Sequence, residues 1–260
     1  MKVAVVQFEP VFGEIARNIA TVTKMIADIE AELFVLPELC FTGYSFRSLA
    51  EAEFLAENPE SGLSISKMKE LAATKRSAVI FGFAEKADGG LFNSAAFVSP
   101  DRRVHVYRKL HLFLNEKDWF LPGNRTPEVF EFRGARLGIM VCFDWIFPET
   151  ARCLALKGAH IICHPANLVM PYCQAAMITR SLENRVFSIT ANRIGEEKRD
   201  GYHNRFTGQS QIVNPQGDIL FRASNNKEEV GVADIKYEES DEKAVNLKNN
   251  LWDDRRPELY

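Results

Sequence analysis

Cys142 ends the apolar run GIMV (138–141), and FDWIFPE (143–149) follows, with Pro148 and Glu149 opening a helix. A side chain at a strand-to-helix junction projects from a sheet edge, where the next backbone amides can face a bound oxyanion. The bland alternative is packing, because free cysteine is among the most buried residue types. A nucleophilic thiol also needs a base, a cation or a helix N-terminus to become a thiolate. The five histidines, at 105, 111, 160, 164 and 203, lie in no setting typical of cysteine proteases. His160 and His164 are four apart in HIICH, which reads as a strand and lacks the glutamate of a zinc-binding HExxH.

Glu38 is the better candidate base. It follows Pro37 at the end of an apolar strand, flanked by Leu36 and Leu39. That setting partly desolvates the carboxylate and favours its accepting a thiol proton; a solvent-facing strand end is the competing reading. Lys109, in VYRKLHLF, supplies an ammonium that favours first the thiolate and then the oxyanion, or else simply snorkels. Three strand tips thus each offer one member of a base, cation and nucleophile set.

The elements that must position these groups follow from periodicity. KVAVVQF (2–8) reads as a buried strand, and Ile15, Ile19, Val22, Ile26 and Ile29 mark one face of a helix. LFVLPEL (33–39) is a second strand, and residues 64–75 a second helix. AVIFGFA, FNSAAFV and VHVYRKL give three consecutive strands, the last two joined by an SPDR turn. A loop over 112–128 precedes strands at 129–132 and 135–142, a helix near 149–157 and a strand at 160–166. A helix over 172–185, strand FSITANR and late hairpin strands in 209–235 complete the pattern. Early strand–helix alternation with consecutive strands later favours two mixed sheets with helices outside; one doubly wound sheet is the alternative.

The 260-residue chain is 46% hydrophobic and 26% charged, as expected of one globular domain with a large core. A net charge of -3 is too mild to suggest a nucleic-acid-binding surface, and no apolar window approaches the ~18 residues of a membrane helix. Five cysteines with no CxxC pair argue against a disulfide framework or a structural zinc site. With Gln7, Glu9 and Pro10 breaking the first apolar run, cytoplasmic placement is expected.

LPEL (36–39), YRKLHLF (107–113) and VCFDWIFPE (141–149) together resemble the three catalytic blocks of the nitrilase superfamily, the carbon–nitrogen hydrolases. Their order and their separations of 71 and 33 residues also fit, as do FTGYSF, FLPGN, HPANLV, RSLENRVF and the closing DRRPELY. The resemblance implies an α/β fold, a four-layer α-β-β-α sandwich over residues 1–245. It makes 246–260 a tail packing on a partner subunit of a homodimer or larger homo-oligomer.

It further implies Glu38 as general base, Lys109 as oxyanion-stabilising cation and Cys142 as nucleophile, with no metal or organic cofactor. Glu116, Tyr44, Asn167 and the Phe143 backbone N–H become substrate-site candidates. Asp144, Glu149, Arg152, Arg180 and Glu183 are expected in structural ion pairs, and Cys40, Cys153, Cys163 and Cys173 in packing. Asp144 directly after Phe143, where nitrilases usually show Trp-Glu after the cysteine, tilts the reading toward amide hydrolysis. Nitrile hydrolysis and a non-catalytic binding scaffold are the alternatives. Arg125 and Arg205 are candidate partners for a carboxylate substrate.

Overall fold

The computed structural model describes residues 1–199 and 201–259. The first half of the chain contains β1 (Lys2–Gln7), α1 (Ile15–Ile26), β2 (Leu33–Val35), α2 (Leu49–Leu55), α3 (Leu63–Lys75) and β3 (Ala78–Ala87). It continues with β4 (Gly90–Val98), β5 (Val104–Arg108) and α4 (Glu116–Trp119). Then come β6 (Val129–Phe132), β7 (Ala135–Ile139), α5 (Pro148–Leu156), β8 (Ile161–Pro165), α6 (Cys173–Asn184) and β9 (Phe187–Ala191). The chain closes with β10 (Glu196–Arg199), β11 (Tyr202–Arg205), β12 (Gln211–Val213), β13 (Ile219–Arg222) and β14 (Glu229–Asp234).

Two six-stranded mixed sheets result, ordered β14-β1-β2-β3-β4-β5 and β13-β12-β9-β8-β7-β6. Each has three parallel strands at its heart, β1-β2-β3 and β7-β8-β9, flanked by antiparallel neighbours. The central strands are unbroken apolar runs because both of their faces are covered. Val3, Val5, Leu33, Val35 and Ile80 point into the core shared with Leu137, Ile139, Ile161 and Ile189 of the second sheet. Their alternates Ala4, Val6, Phe34 and Phe81 point outward, onto Ile19, Val22 and Ile26 of α1 and Ile65, Met68 and Ala72 of α3. Leu154 of α5 and Met177 of α6 cover the far side. The layers are α-β-β-α, as the resemblance implies.

Three strands stop short of the sequence reading, each just before a candidate functional residue. β2 ends at Val35, and Glu38 lies in the turn beyond Pro37. β5 ends at Arg108, one residue before Lys109. The run read as 135–142 ends at Ile139, and Cys142 begins a 3₁₀ turn, Cys142–Ile146. The sequence reading also passed over α2, α4 and the β10–β11 hairpin, which forms a small separate sheet. In the tail, Trp252 lies over Arg152 and Lys243 of its own chain, 4.9 and 5.0 Å from ring centre to cation. Among the described residues no helix is long and apolar enough to cross a membrane.

Candidate active site

The backbone places each functional residue by a different device. Glu38 sits where the chain leaving β2 turns back against β3: the Gly82 N–H donates to the Pro37 carbonyl (3.0 Å), and the Cys40 N–H to the Gly82 carbonyl (3.2 Å). This approach demands glycine, since a β-carbon at Gly82 would lie 2.4 Å from the Glu38 Cα. Lys109 keeps β5's pairing for one more residue, its N–H donating to the Asn93 carbonyl on β4 (2.9 Å). Cys142 adopts φ +41°, a left-handed conformation unfavourable for an L-residue, at the junction where β7 becomes the 3₁₀ turn. Asp144 braces that junction from within by accepting from the Val141 N–H (2.9 Å), the Tyr107 hydroxyl (2.8 Å) and the His111 N–H (3.0 Å).

The side chains meet in one buried cluster. The Lys109 ammonium, fully buried, donates to Glu38 Oε1 (2.7 Å) and Glu116 Oε1 (2.8 Å). The Tyr44 hydroxyl donates to Glu116 Oε1 (2.8 Å). Asn93 Nδ2 donates to Glu38 Oε1 (2.7 Å) and more weakly to Glu116 Oε2 (3.3 Å). Of the four carboxylate oxygens only Glu38 Oε2 has no hydrogen-bond partner among the described residues. Cys142 Sγ lies 3.8 Å from the Asn167 carbonyl oxygen.

Electrostatics join the thiol to this cluster. Burial pushes the Cys142 thiol well above its usual range; the Glu38 charge adds to the rise and Lys109 opposes it. The resting sulfur is therefore protonated at neutral pH and needs a proton acceptor to react. Burial pulls the Lys109 pKa down, but the carboxylates of Glu116 and Glu38 outweigh that and hold it as an ammonium. Glu116 is raised by burial, with Lys109 pulling the other way and Glu38 adding to the rise.

A narrow cavity opens on Cys142, walled by Phe113, Phe143, Trp145, Leu168, Val169 and Met170, with Asn167 beside the thiol. A larger one of about 170 Å³ shares Phe113 with it and reaches Tyr44, Glu116, Trp119, Tyr202 and Asn204. The structure thus gathers Glu38, Lys109, Glu116 and Tyr44 into one network and puts Cys142, Phe143 and Asn167 around the adjoining cavity. Arg125 lines a separate depression with Arg108 and His105, and Arg205 is exposed beside Glu196 (3.6 Å). Neither lines the Cys142 cavity. Arg180 and Glu183 form the expected ion pair (3.0 Å), whereas Asp144 is a hub for backbone, tyrosine and histidine groups.

The sequence reading missed three supporting groups. Asn93, in a strand with no turn signal, gives one amide to two carboxylates. His164, set aside as a metal ligand, places Nε2 3.0 Å from the Cys142 carbonyl oxygen and Nδ1 3.2 Å from the Thr190 hydroxyl. Burial lowers it to about 4, so the neutral ring donates from Nε2 and fixes the backbone at Cys142. The buried Arg193–Glu197 pair holds the Tyr44 loop, with Glu197 accepting from the Tyr44 (3.2 Å) and Ser45 (2.7 Å) N–H groups. An arginine closing the apolar strand FSITANR, with a glutamate four residues later, was the signal available for that pair.

The family model described as carbon-nitrogen hydrolase matches residues 2–244. The chain belongs to that family. A nitrilase from Pyrococcus abyssi is 43% identical, the match covering 100% of this chain and 99% of the relative. A (R)-stereoselective amidase from a Pseudomonas species is 33% identical over 87% of this chain and 82% of its own, and an N-carbamoylputrescine amidase from Arabidopsis thaliana 28% identical over 95% and 90%. The solved amidase of Nesterenkonia sp. superposes with a TM-score of 0.81 at 23% identity, over 100% of this chain and 94% of that one. Its fold is that of the nitrilase superfamily.

Proposed function

We propose that this carbon–nitrogen hydrolase cleaves a small amide through a thioester on Cys142. One observation carries the reading: the sole unpartnered carboxylate oxygen of the cluster, Glu38 Oε2, is buried with a protonated thiol whose acidity it influences. Glu38 accepts the thiol proton as sulfur attacks the carbonyl carbon, and the C=O electron pair moves onto oxygen. That oxyanion meets the ammonium hydrogen of Lys109 left over from its two carboxylate bonds. The Phe143 N–H joins it, lying in the first turn of a 3₁₀ helix, where amides lack intrahelical acceptors. Collapse breaks the C–N bond, and Glu38 returns its proton to the departing ammonia or amine. Water then attacks the thioester with Glu38 again as base; the C–S bond breaks and the thiol is restored.

Two solved variants of the Nesterenkonia amidase support sulfur as the nucleophile, carrying an acrylamide adduct or an acetamide moiety at the active-site cysteine. The Pyrococcus relative named a nitrilase favours the second reading, nitrile hydrolysis at the same cysteine. The proposal extends to a cytoplasmic homodimer or larger homo-oligomer, with residues 246–260 reaching a partner; five free cysteines suit a reducing compartment.

The deciding experiment pairs each of several amides with its matching nitrile and measures ammonia release. Amides are expected to turn over faster, and a consistent nitrile advantage would reverse the preference. Cys142→Ala abolishes release, and Glu38→Gln keeps the fold while lowering turnover by ~10²-fold or more. Ammonia release persisting in Cys142→Ala would sink the covalent route, whereas no release from the native protein with any amide or nitrile would favour the non-catalytic scaffold.

A further inference from the structure

The walls of the reaction chamber carry an unusual balance of charge. Among the described residues no lysine, arginine or aspartate lines either cavity beside Cys142, and the one carboxylate, Glu116, is held by Lys109, Tyr44 and Asn93. Beyond Phe143 the wall is Trp145, Leu168, Val169 and Met170. An ion entering there would lose its water with no counter-charge to replace it, the costliest kind of burial.

One polar side chain breaks the apolar wall. Asn167 is 3% exposed, and neither its Nδ2 nor its Oδ1 has a hydrogen-bond partner among the described residues. A buried amide left open in this way offers one neutral donor and one neutral acceptor to whatever fills the cavity.

Building on the amide-hydrolase reading, we infer that the substrate's acyl group carries no charge and that Asn167 hydrogen-bonds a neutral group of the bound substrate. Carboxylate-bearing monoamides find no cation on the described cavity walls, the Lys109 ammonium being committed to the reacting oxygen. Ammonium-bearing carbamoyl amines, including the N-carbamoylputrescine for which plant relatives are named, find on those walls only Glu116, already held by Lys109, Tyr44 and Asn93, while Glu38 is committed to the thiol proton. The chamber selects by desolvation, and the relatives' cationic substrate is refused.

Three amides of nearly equal size test this: butyramide, succinamate and β-alaninamide, alongside N-carbamoylputrescine. Butyramide is expected to lead each charged compound by about 100-fold or more in kcat/KM. A charged compound within tenfold of butyramide overturns the inference. Alkylation of Cys142 by iodoacetamide against iodoacetate, each rate divided by that for glutathione, reads the same charge rule without hydrolysis. The neutral reagent should keep at least a tenfold advantage, and equal normalised rates defeat the rule. Absence of ammonia release from every amide and nitrile, with the alkylation preference intact, would remove the hydrolase reading and leave the charge rule standing. Asn167→Leu should raise the KM for butyramide; an unchanged KM removes Asn167 from substrate contact.

Discussion

At the scale of single residues, the cluster balances two carboxylates against one ammonium in a dry site, and small neutral groups decide how each carboxylate is used. Asn93 is the clearest. Its two side-chain amide hydrogens occupy Glu38 Oε1 and Glu116 Oε2, and its backbone carbonyl accepts the Lys109 N–H. Glu38 Oε2 is thereby left as the oxygen free to take a proton. Asn93→Leu keeps the approximate volume but removes one donor from each carboxylate and leaves Glu38 held by Lys109 alone, so kcat should fall by about 10- to 100-fold with KM nearly constant, because Asn93 acts through Glu38 rather than on substrate. A loss confined to KM would contradict this positioning role. His164 makes a second test, in stability rather than rate. Its folded value near 4 lies below that of a solvated imidazole, so the unfolded chain takes up the proton first as pH falls. Stability contributed by neutral His164 is complete above about pH 6.5 and drains away as pH drops toward 4, by about 3 kcal/mol in all. Urea midpoints measured from pH 7.5 to 5 should decline more steeply for the native chain than for His164→Gln, and parallel curves would refute the assignment.

At the scale of elements, the three chemical blocks all lie just past the point where a strand gives up its ladder. That much was legible in the sequence: Pro37 forbids further pairing, and the apolar run before Cys142 has the length of a buried strand. The close packing that makes these ends rigid was not, because it depends on a neighbour remote in the chain. Gly82 looks like an ordinary strand glycine in AVIFGFA, yet it lets β3 press on the Glu38 turn. Gly82→Ala forces backbone against backbone, since its new carbon would stand 2.4 Å from the Glu38 Cα and 2.5 Å from the Leu39 nitrogen. Turnover should drop at least tenfold, and thermal stability by about 1–3 kcal/mol, with the circular dichroism spectrum retained. Undiminished turnover would show that the Glu38 turn tolerates displacement. The β10–β11 hairpin stayed hidden for another reason. EEKR and YHNR are polar on both faces, so they lack the alternation that betrays a strand; the hairpin is held by Glu197 to the Tyr44 loop and by Arg199 to Glu51 (2.7 Å). Helix α2 was masked likewise, with Leu49 and Phe54 exposed and too short a run for a clear stripe.

At the scale of the whole molecule, the site belongs to neither sheet alone. Glu38, Asn93 and Lys109 come from the first sheet and its loops, while Cys142, His164 and Asn167 come from the second. Only the face-to-face packing of the two sheets brings Glu38 to Cys142. The same packing leaves α5 and α6 as the outermost layer of the second sheet, where Leu156 and Leu182 remain 45% exposed, with Ile146 and Tyr172 also uncovered nearby. Apolar side chains gathered on adjacent helices favour burial against another surface, and a second copy of the chain is the occupant we propose. Light scattering at micromolar concentration should give at least twice the chain mass. Leu156→Asp combined with Leu182→Asp should reduce it to one chain, because a buried, unpaired aspartate on each side of a twofold interface is counted twice. A native protein that runs as a monomer, or a double variant that still dimerises, would place the interface elsewhere. Since the 3₁₀ turn bearing Cys142 leads directly into α5, separation of the copies should also loosen the nucleophile's junction. Monomeric Leu156→Asp/Leu182→Asp is therefore expected to lose turnover even though neither leucine touches the cavity.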